Sequence, residues 1–168
     1  MFRIGVTGHQ KLDAPEAWFW VAGVMRNELE KIEPPLIGVT SLAIGADQLL
    51  ARLILERGGK IHAVLPFADI ERTFPPEYVP AFRELAGQAK IEVLSTPGTD
   101  EDAYLAAGQR VVELSDMVLA VWNSKPSKGR GGTADVVAYA MQLGVALIHI
   151  DPISHTVRRL GNRKQLHA

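Results

Sequence analysis

Gly129-Arg130-Gly131-Gly132-Thr133-Ala134-Asp135 follows an apolar run, Met117–Trp122, and leads into a helix-forming run, Val136–Leu143. This order predicts a strand, a glycine-rich loop and a helix. Glycines lack a Cβ, so the loop backbone can lie close to a ligand, and the first turn of the helix offers free N–H groups to an anion. The segment indicates a phosphate-binding loop, although a loop that only connects a strand to a helix has a similar composition.

Apolar runs of strand length alternate with segments of helical periodicity on both sides of this loop. Strands are predicted at Arg3–Thr7, Leu36–Thr40, Lys60–Pro66, Lys90–Leu94, Met117–Trp122 and Val145–Ile150. Helices are predicted at about Pro15–Leu29, Ala46–Arg57, Glu77–Ala89, Asp100–Leu114 and Thr133–Leu143. Such alternation predicts an α/β three-layer sandwich, in which a mainly parallel central sheet lies between two layers of helices.

The composition is that of one globular domain. The chain has 168 residues, of which 47% are hydrophobic, and this is enough to bury a sizeable core. A formal net charge of -1 gives no global field that would attract duplex nucleic acid, so we expect no such partner. The absence of cysteine excludes disulfides and thiolate metal sites, and the sequence contains no acidic or histidine pattern of metal ligands. We expect neither a metal nor a cofactor.

The two ends of the chain differ in character. Met1–Val6 enters a strand pattern directly, and no apolar run approaches the roughly 20 residues of a membrane helix. We therefore expect a cytoplasmic protein without membrane contact. Residues 1–151 are predicted to form the domain and residues 152–168 a basic C-terminal tail. Trp18, Phe19 and Trp20 expose more apolar surface than one buried helix face requires, which predicts a homodimer or a higher homo-oligomer.

Residues that could bind a ligand or take part in catalysis cluster directly after the predicted strands. Because the carboxyl ends of parallel strands meet at one edge of a sheet, we expect these loops to form one cleft. The candidate ligand-binding residues are Gly8, His9, Ser41, Leu42, Gly45, Asp47, Pro66, Phe67, Trp122, Arg130, Gly131, Gly132 and Thr133. A phosphate suits the glycine loop and Arg130, a ribose suits Asp47, and a base suits an aromatic side chain. Each residue also has a structural explanation, such as capping for Asp47 and core packing for Trp122.

Several of these motifs together resemble one family. They are Gly5-Val6-Thr7-Gly8-His9, Ser41-Leu42-Ala43-Ile44-Gly45-Ala46-Asp47, Ser115-Asp116 and Gly131-Gly132-Thr133-Ala134-Asp135. In this order they are similar to the SLOG superfamily, which unites DprA proteins, LOG proteins and sensor domains of bacterial nucleotide signalling. The resemblance covers Met1 to about Asp151. It implies a Rossmann-like fold and a nucleotide-derived ligand, such as a cyclic nucleotide or oligonucleotide or an NAD or ADP-ribose derivative that acts as a second messenger.

The same resemblance raises an enzymatic alternative. LOG enzymes carry consecutive glutamates shortly after the loop threonine and an arginine on the preceding helix, whereas this chain has Asp135-Val136 and Arg110. The resemblance thus favours binding over turnover. The alternative is a LOG-like nucleoside 5'-monophosphate phosphoribohydrolase, an N-glycosidase, with Asp135 and Arg110 as its catalytic residues. A third hypothesis is a structural protein that uses the fold without a ligand.

Overall fold

The apolar runs of the sequence form the strands of one sheet in the computed structural model, which describes residues 1–161. Within this range the strands are β1 (Phe2–Gly8), β2 (Leu36–Thr40), β3 (Lys60–Leu65), β4 (Ala89–Val93), β5 (Met117–Val121), β6 (Ala146–Asp151) and β7 (Thr156–Leu160). The α-helices are α1 (Ala17–Glu30), α2 (Ala46–Glu56), α3 (Val79–Ala86), α4 (Asp100–Leu114) and α5 (Thr133–Leu143). Two short 3-10 turns, Ile70–Thr73 and Pro76–Tyr78, precede α3.

The strand order of the sheet is β4-β3-β2-β1-β5-β6-β7. Strands β1 to β6 are parallel to one another, and β7 alone pairs antiparallel, with β6. The chain proceeds from β1 towards one edge of the sheet and then, from β5 onward, towards the other. The point of reversal therefore lies between β1 and β5. The prediction of an α/β Rossmann-like sandwich with a mainly parallel sheet is confirmed.

Helices cover both faces of the sheet. On one face Val21 and Met25 of α1 pack with Ile4 of β1, and α2 and α3 complete this layer. On the other face Val111 of α4 packs with Val64 of β3, and α5 lies beside α4. Strands that are covered on both faces read as continuous apolar runs, and every residue of β5 is buried. Because the central strands are buried on both faces, their positions could be predicted accurately from continuous apolar runs in the sequence.

Helix ends carry recognisable local signals. The Thr99 hydroxyl accepts the N–H of Asp102 while the Asp102 carboxylate accepts the N–H of Thr99, which forms a capping box at the start of α4. Gly144 closes α5 in the left-handed conformation, with φ of 69°. The third helix begins at Val79 and not at the predicted Glu77, because the Pro76–Tyr78 segment forms a 3-10 turn. No helix within residues 1–161 has the length and apolar character needed to cross a membrane.

The aromatic residues of α1 divide between core and surface. Trp18 and Trp20 pack against the hydrophobic core, and the Trp20 ring stacks on the His155 imidazole with centroids 4.5 Å apart. Phe19 is 84% exposed. The excess apolar surface of α1 therefore comes from Phe19, and the homo-oligomer stays a prediction.

Strand β7 lies inside the segment that the sequence assigns to a basic tail. Leu160 packs against the core cluster beneath α5, whereas Arg159 reaches the opposite face and binds the buried Glu28 of α1 at 2.8 Å. Lys31 binds the same carboxylate at 2.7 Å. These contacts explain why a charged segment joins the sheet as an edge strand. The rest of the predicted tail, residues 162–168, lies outside the described residues.

We predict that Arg159→Ala lowers the free energy of unfolding by about 1–2 kcal/mol, because it removes one of the two cations that compensate the buried Glu28 carboxylate. Arg158→Ala is the matched control, since this neighbouring arginine forms no ion pair within residues 1–161. Urea unfolding of the three proteins tests this. Equal destabilisation by the two substitutions would contradict the anchoring of β7 through Glu28.

Candidate functional site

An open cleft of about 950 Å³ lies at the carboxyl ends of the parallel strands, where the sheet order reverses. Its walls are the loops that follow β1, β2, β3, β5 and β6, one side of α4 from Glu101 to Val111, and the beginning of α5. Open α/β sheets bind ligands in this position, so we call it the switch-point cleft. Ten of the predicted ligand-binding residues line it: Gly8, His9, Ser41, Asp47, Pro66, Trp122, Arg130, Gly131, Gly132 and Thr133.

The other predicted ligand-binding residues, Leu42, Gly45 and Phe67, lie outside this lining. Leu42 is fully buried in the core under α2. Gly45 has φ of 92°, and a Cβ there would collide with the backbone of His9 and Gln10, so it shapes the turn without facing the cleft. Phe67 stacks under the Arg72 guanidinium, 4.6 Å from the ring centroid, and lines a smaller cleft beside the main one.

His9 joins three loops of the cleft. Its N–H donates to the Val121 carbonyl (3.1 Å), and its carbonyl accepts the N–H of Ala46 (3.2 Å). Its imidazole Nε2 accepts the backbone N–H of Asn123 at 3.0 Å. Burial lowers the pKa of His9, and an acceptor Nε2 requires the unprotonated ring, so the imidazole is neutral at pH 7. Its role in this structure is to position the loops that follow β1, β2 and β5.

Asp47 holds the turn between β2 and α2. Its Oδ2 accepts the N–H of Ser41 at 3.1 Å, and its carbonyl accepts the Thr40 hydroxyl at 3.3 Å. Burial raises the pKa of the Asp47 carboxyl from 3.8 to about 6, against the opposing effect of these hydrogen bonds. Asp47 is one of the residues that line the cleft, and its carboxylate fixes the Ser41 backbone beside it.

The glycine loop is folded onto α4. Gly131 has φ of 81°, and a Cβ there would meet the α4 backbone at Leu105, 2.7 Å away. The Gly131 N–H donates to the Asp135 carboxylate at 3.0 Å. The Arg130 guanidinium donates to the Asp102 carboxylate at 2.6 Å. The loop is therefore fastened at Arg130 and Gly131, directly before the first turn of α5.

That first turn presents unused hydrogen-bond donors to the cleft. The N–H groups of Gly132, Thr133 and Ala134 have no hydrogen-bond partner within residues 1–161, and all three residues line the cleft. A helix N-terminus with free N–H groups favours an anion. The predicted order of strand, glycine loop and helix is therefore present, and phosphate binding at this loop stays a prediction.

Three lysines that were not among the predicted ligand-binding residues also line the cleft: Lys11, Lys125 and Lys128. None of them forms an ion pair with a residue of the described part of the chain. Lys125 and Lys128 lie close to Arg130 between β5 and α5, so this run of basic residues beside the glycines was the signal that could have identified these two lysines. Glu101 and Tyr104 of α4 line the opposite wall.

The two candidate catalytic residues do not meet in the cleft. Arg110 lies on the part of α4 nearest β4 and binds the Glu92 carboxylate through Nη2 (3.0 Å) and Nε (3.2 Å). Asp135 bonds to the Gly131 N–H, as described above, and is absent from the lining. Both side chains therefore have structural partners in the free protein.

Trp122 lies at the end of the cleft near β6. Its indole N–H donates to the Lys125 carbonyl at 2.8 Å, and its ring contacts His149, with centroids 5.0 Å apart. The His149 Nε2 donates to the Trp122 carbonyl at 2.7 Å and so cannot accept a proton from the nearby Ser124 hydroxyl, which bonds to Asp151 at 3.2 Å. These side chains brace the turn and do not form a nucleophile with its base. Among residues 1–161 no cluster of side chains has the composition of a metal site.

Comparison with solved structures identifies proteins of similar architecture, two of which follow. DNA processing protein A (DprA) from Streptococcus pneumoniae superposes with a TM-score of 0.65 at 19% identity, and the match covers 89% of this chain and 50% of that chain. TM1055, a structural genomics target, superposes with a TM-score of 0.56 at 16% identity, with 88% of this chain and 72% of that chain covered. In sequence, no family model and no curated protein matches the chain.

These identities establish a shared fold and nothing finer. The chain spans about half the length of the DprA structure that it matches. The Rossmann-like fold that the strand-end motifs imply is confirmed by these structures.

We predict that Asp47→Asn removes a pH dependence of stability. Between about pH 4 and pH 6 folded Asp47 holds a proton that the unfolded chain has lost, so its contribution to the free energy of unfolding falls as the pH rises. The stability of the wild type relative to Asp47→Asn should fall by about 2 kcal/mol between pH 4 and pH 7. Urea unfolding of both proteins at several pH values measures the difference between their free energies of unfolding. A difference that does not change with pH would show that the pKa of Asp47 is not raised in the folded protein.

Proposed function

We propose that this protein binds a nucleotide or a nucleotide-derived signalling molecule in the switch-point cleft. The observation that carries the proposal is the set of unpartnered N–H groups at Gly132, Thr133 and Ala134, which open into the cleft at the point where the strand order reverses. Such a site selects an anion by geometry as well as by charge. Cyclic nucleotides, oligonucleotides and NAD or ADP-ribose derivatives all carry the phosphate that this site requires.

The charges around the α5 N-terminus support a phosphate. Lys128 and Arg130 belong to the same loop as the glycines, and Lys11 lies on the loop after β1. Arg130 keeps donors beyond the one that binds Asp102, since a guanidinium has five N–H groups. A phosphate on the α5 N-terminus would thus receive backbone hydrogen bonds and cationic side chains from the same loop.

The remaining walls suit the other parts of a nucleotide. Ser41 and Glu101 offer a hydroxyl and a carboxylate, and Glu101 forms no ion pair within residues 1–161, so it is available to accept a ribose hydroxyl. Trp122 and Tyr104 offer aromatic surface to a base at the two ends of the cleft. Asp47 and His9 hold the loops on which these groups stand.

Binding without cleavage is favoured by the placement of the catalytic candidates. A phosphoribohydrolase needs a carboxylate and an arginine at the ribose, whereas Asp135 fastens the glycine loop and Arg110 is bound to Glu92 outside the cleft. We therefore expect the ligand to leave the protein chemically unchanged. The expectation that duplex nucleic acid is not a partner stays a prediction, and duplex DNA belongs among the compounds to be tested because one structural neighbour is a DNA processing protein.

The first experiment is a thermal-shift screen of the purified chain against nucleoside monophosphates, NAD, ADP-ribose, cyclic mono-, di- and trinucleotides and duplex DNA. We expect one class of small nucleotide to raise Tm by mass action and to be recovered intact by chromatography. Release of free base would instead establish the N-glycosidase alternative. The absence of any shift would favour the structural hypothesis.

We predict that Gly132→Asp lowers the affinity for the ligand found in this screen by at least about tenfold, because a fixed carboxylate would occupy and repel the position of the phosphate. A Cβ at this position would also press on Ser127, so circular dichroism and Tm of the free variant must be measured first. Gly23→Asp on α1 is the matched control, since a Cβ at Gly23 meets no atom within 4 Å. Unchanged affinity in a folded Gly132→Asp protein would show that the ligand phosphate does not lie at the N-terminus of α5.

A further inference from the structure

The length of the switch-point cleft bears on the kind of nucleotide that it accepts. Residues at the ends of five adjacent strands line it, namely Pro66 after β3, Ser41 after β2, Gly8 of β1, Trp122 after β5 and Pro152 after β6. Neighbouring strands are about 4.8 Å apart, so four such intervals give the cleft a length of about 19 Å. A mononucleotide site occupies one half of a doubly wound sheet, whereas this cleft extends over both sides of the reversal.

The anion-binding elements lie in the middle of that length. The glycine loop contacts α4 at Tyr104, and α5 then passes over β1, β5 and β6. The free N–H groups of α5 are consequently flanked by cleft on both sides. A phosphate bound there has one arm of the cleft towards β3 and another towards β6.

Each arm carries the kind of surface that accepts a flat ring. The arm towards β3 contains Tyr104, Ile70 and Phe74, and the Tyr104 hydroxyl has no hydrogen-bond partner within residues 1–161. The arm towards β6 contains Trp122 and Ile153, and Ile153 is 65% exposed on the turn before β7. A ligand with a single ring would leave one of these arms empty.

We propose that the switch-point cleft takes a small dinucleotide, whose linking phosphates lie on the α5 N-terminus and whose two rings lie in the arms marked by Tyr104 and Ile153. This inference rests on the proposed nucleotide binding and specifies its ligand class. It requires that the two arms contribute separately to the affinity for a ligand with two rings.

The experiment compares AMP with diadenosine diphosphate by isothermal titration calorimetry on the full chain. We expect the dinucleotide to bind at least about tenfold more tightly than AMP, since it fills both arms from the same phosphate site. Tyr104→Leu, which keeps an apolar side chain beside Phe67, and Ile153→Ala should each weaken the dinucleotide several-fold. AMP should respond to at most one of the two. Met141→Ala, on an exposed part of α5 outside the cleft, is the control and should change neither affinity.

The other outcomes separate the two proposals. If AMP binds and the dinucleotide binds no more tightly, or if neither variant distinguishes the two ligands, the two-ring inference is wrong while nucleotide binding stands. If neither compound nor any other nucleotide binds, both proposals fail. If a ten-residue oligothymidylate displaces the dinucleotide and binds more tightly than it does, the cleft belongs to single-stranded nucleic acid and the assignment to a small dinucleotide is overturned.

Discussion

The pairing of β1 with both β2 and β5 is the constraint on which the cleft depends. The loops after these three strands must leave the sheet at the same edge, yet the helices that follow β1 and β2 cover one face while α5 covers the other. The loops consequently separate and leave a crevice. His9 links the loops around this crevice, because its backbone bonds to Val121 and Ala46 and its ring accepts the Asn123 N–H. A cationic imidazole could not accept that last bond, so the neutral form is part of the architecture.

Aspartates build the loops of this site, and lysines are left available to a ligand. Asp47 accepts the Ser41 N–H, Asp102 accepts the Arg130 guanidinium and Asp135 accepts the Gly131 N–H. Each carboxylate thereby stabilises a backbone turn and is partly neutralised by donors from the protein. The lysines of the cleft have no such partners within residues 1–161. Because the aspartates are bound to protein donors and the lysines are not paired within the described part of the chain, the cleft favours anions although the formal net charge of the chain is only -1.

The sequence predicted the architecture more fully than the site. Strands β2 and β5 were located within one residue because burial on both faces requires an uninterrupted apolar run. Motif spacing also predicted which loops meet, but not where each side chain lies within a loop. Leu42 and Phe67 follow strands as cleft residues do, yet their apolar side chains pack into the core and under Arg72. Strand β7 was not predicted because its place in the sheet depends on the ion pair between Arg159 and Glu28. The composition of the β7 segment does not reveal a contact with a residue so distant in the sequence.

The arginines of β7 also have a consequence for assembly. An edge strand presents unpaired backbone donors and acceptors, and proteins that avoid edge-to-edge aggregation place charges there. Arg158 and Arg159 give the β7 edge a positive charge on both faces of the sheet, and Lys90 and Glu92 place charges on the opposite edge, β4. Joining two copies through their β7 edges would bring equal charges together. Growth of this sheet into a continuous ribbon is thereby disfavoured, which leaves helical surfaces such as the one that carries Phe19 as the better route to self-association.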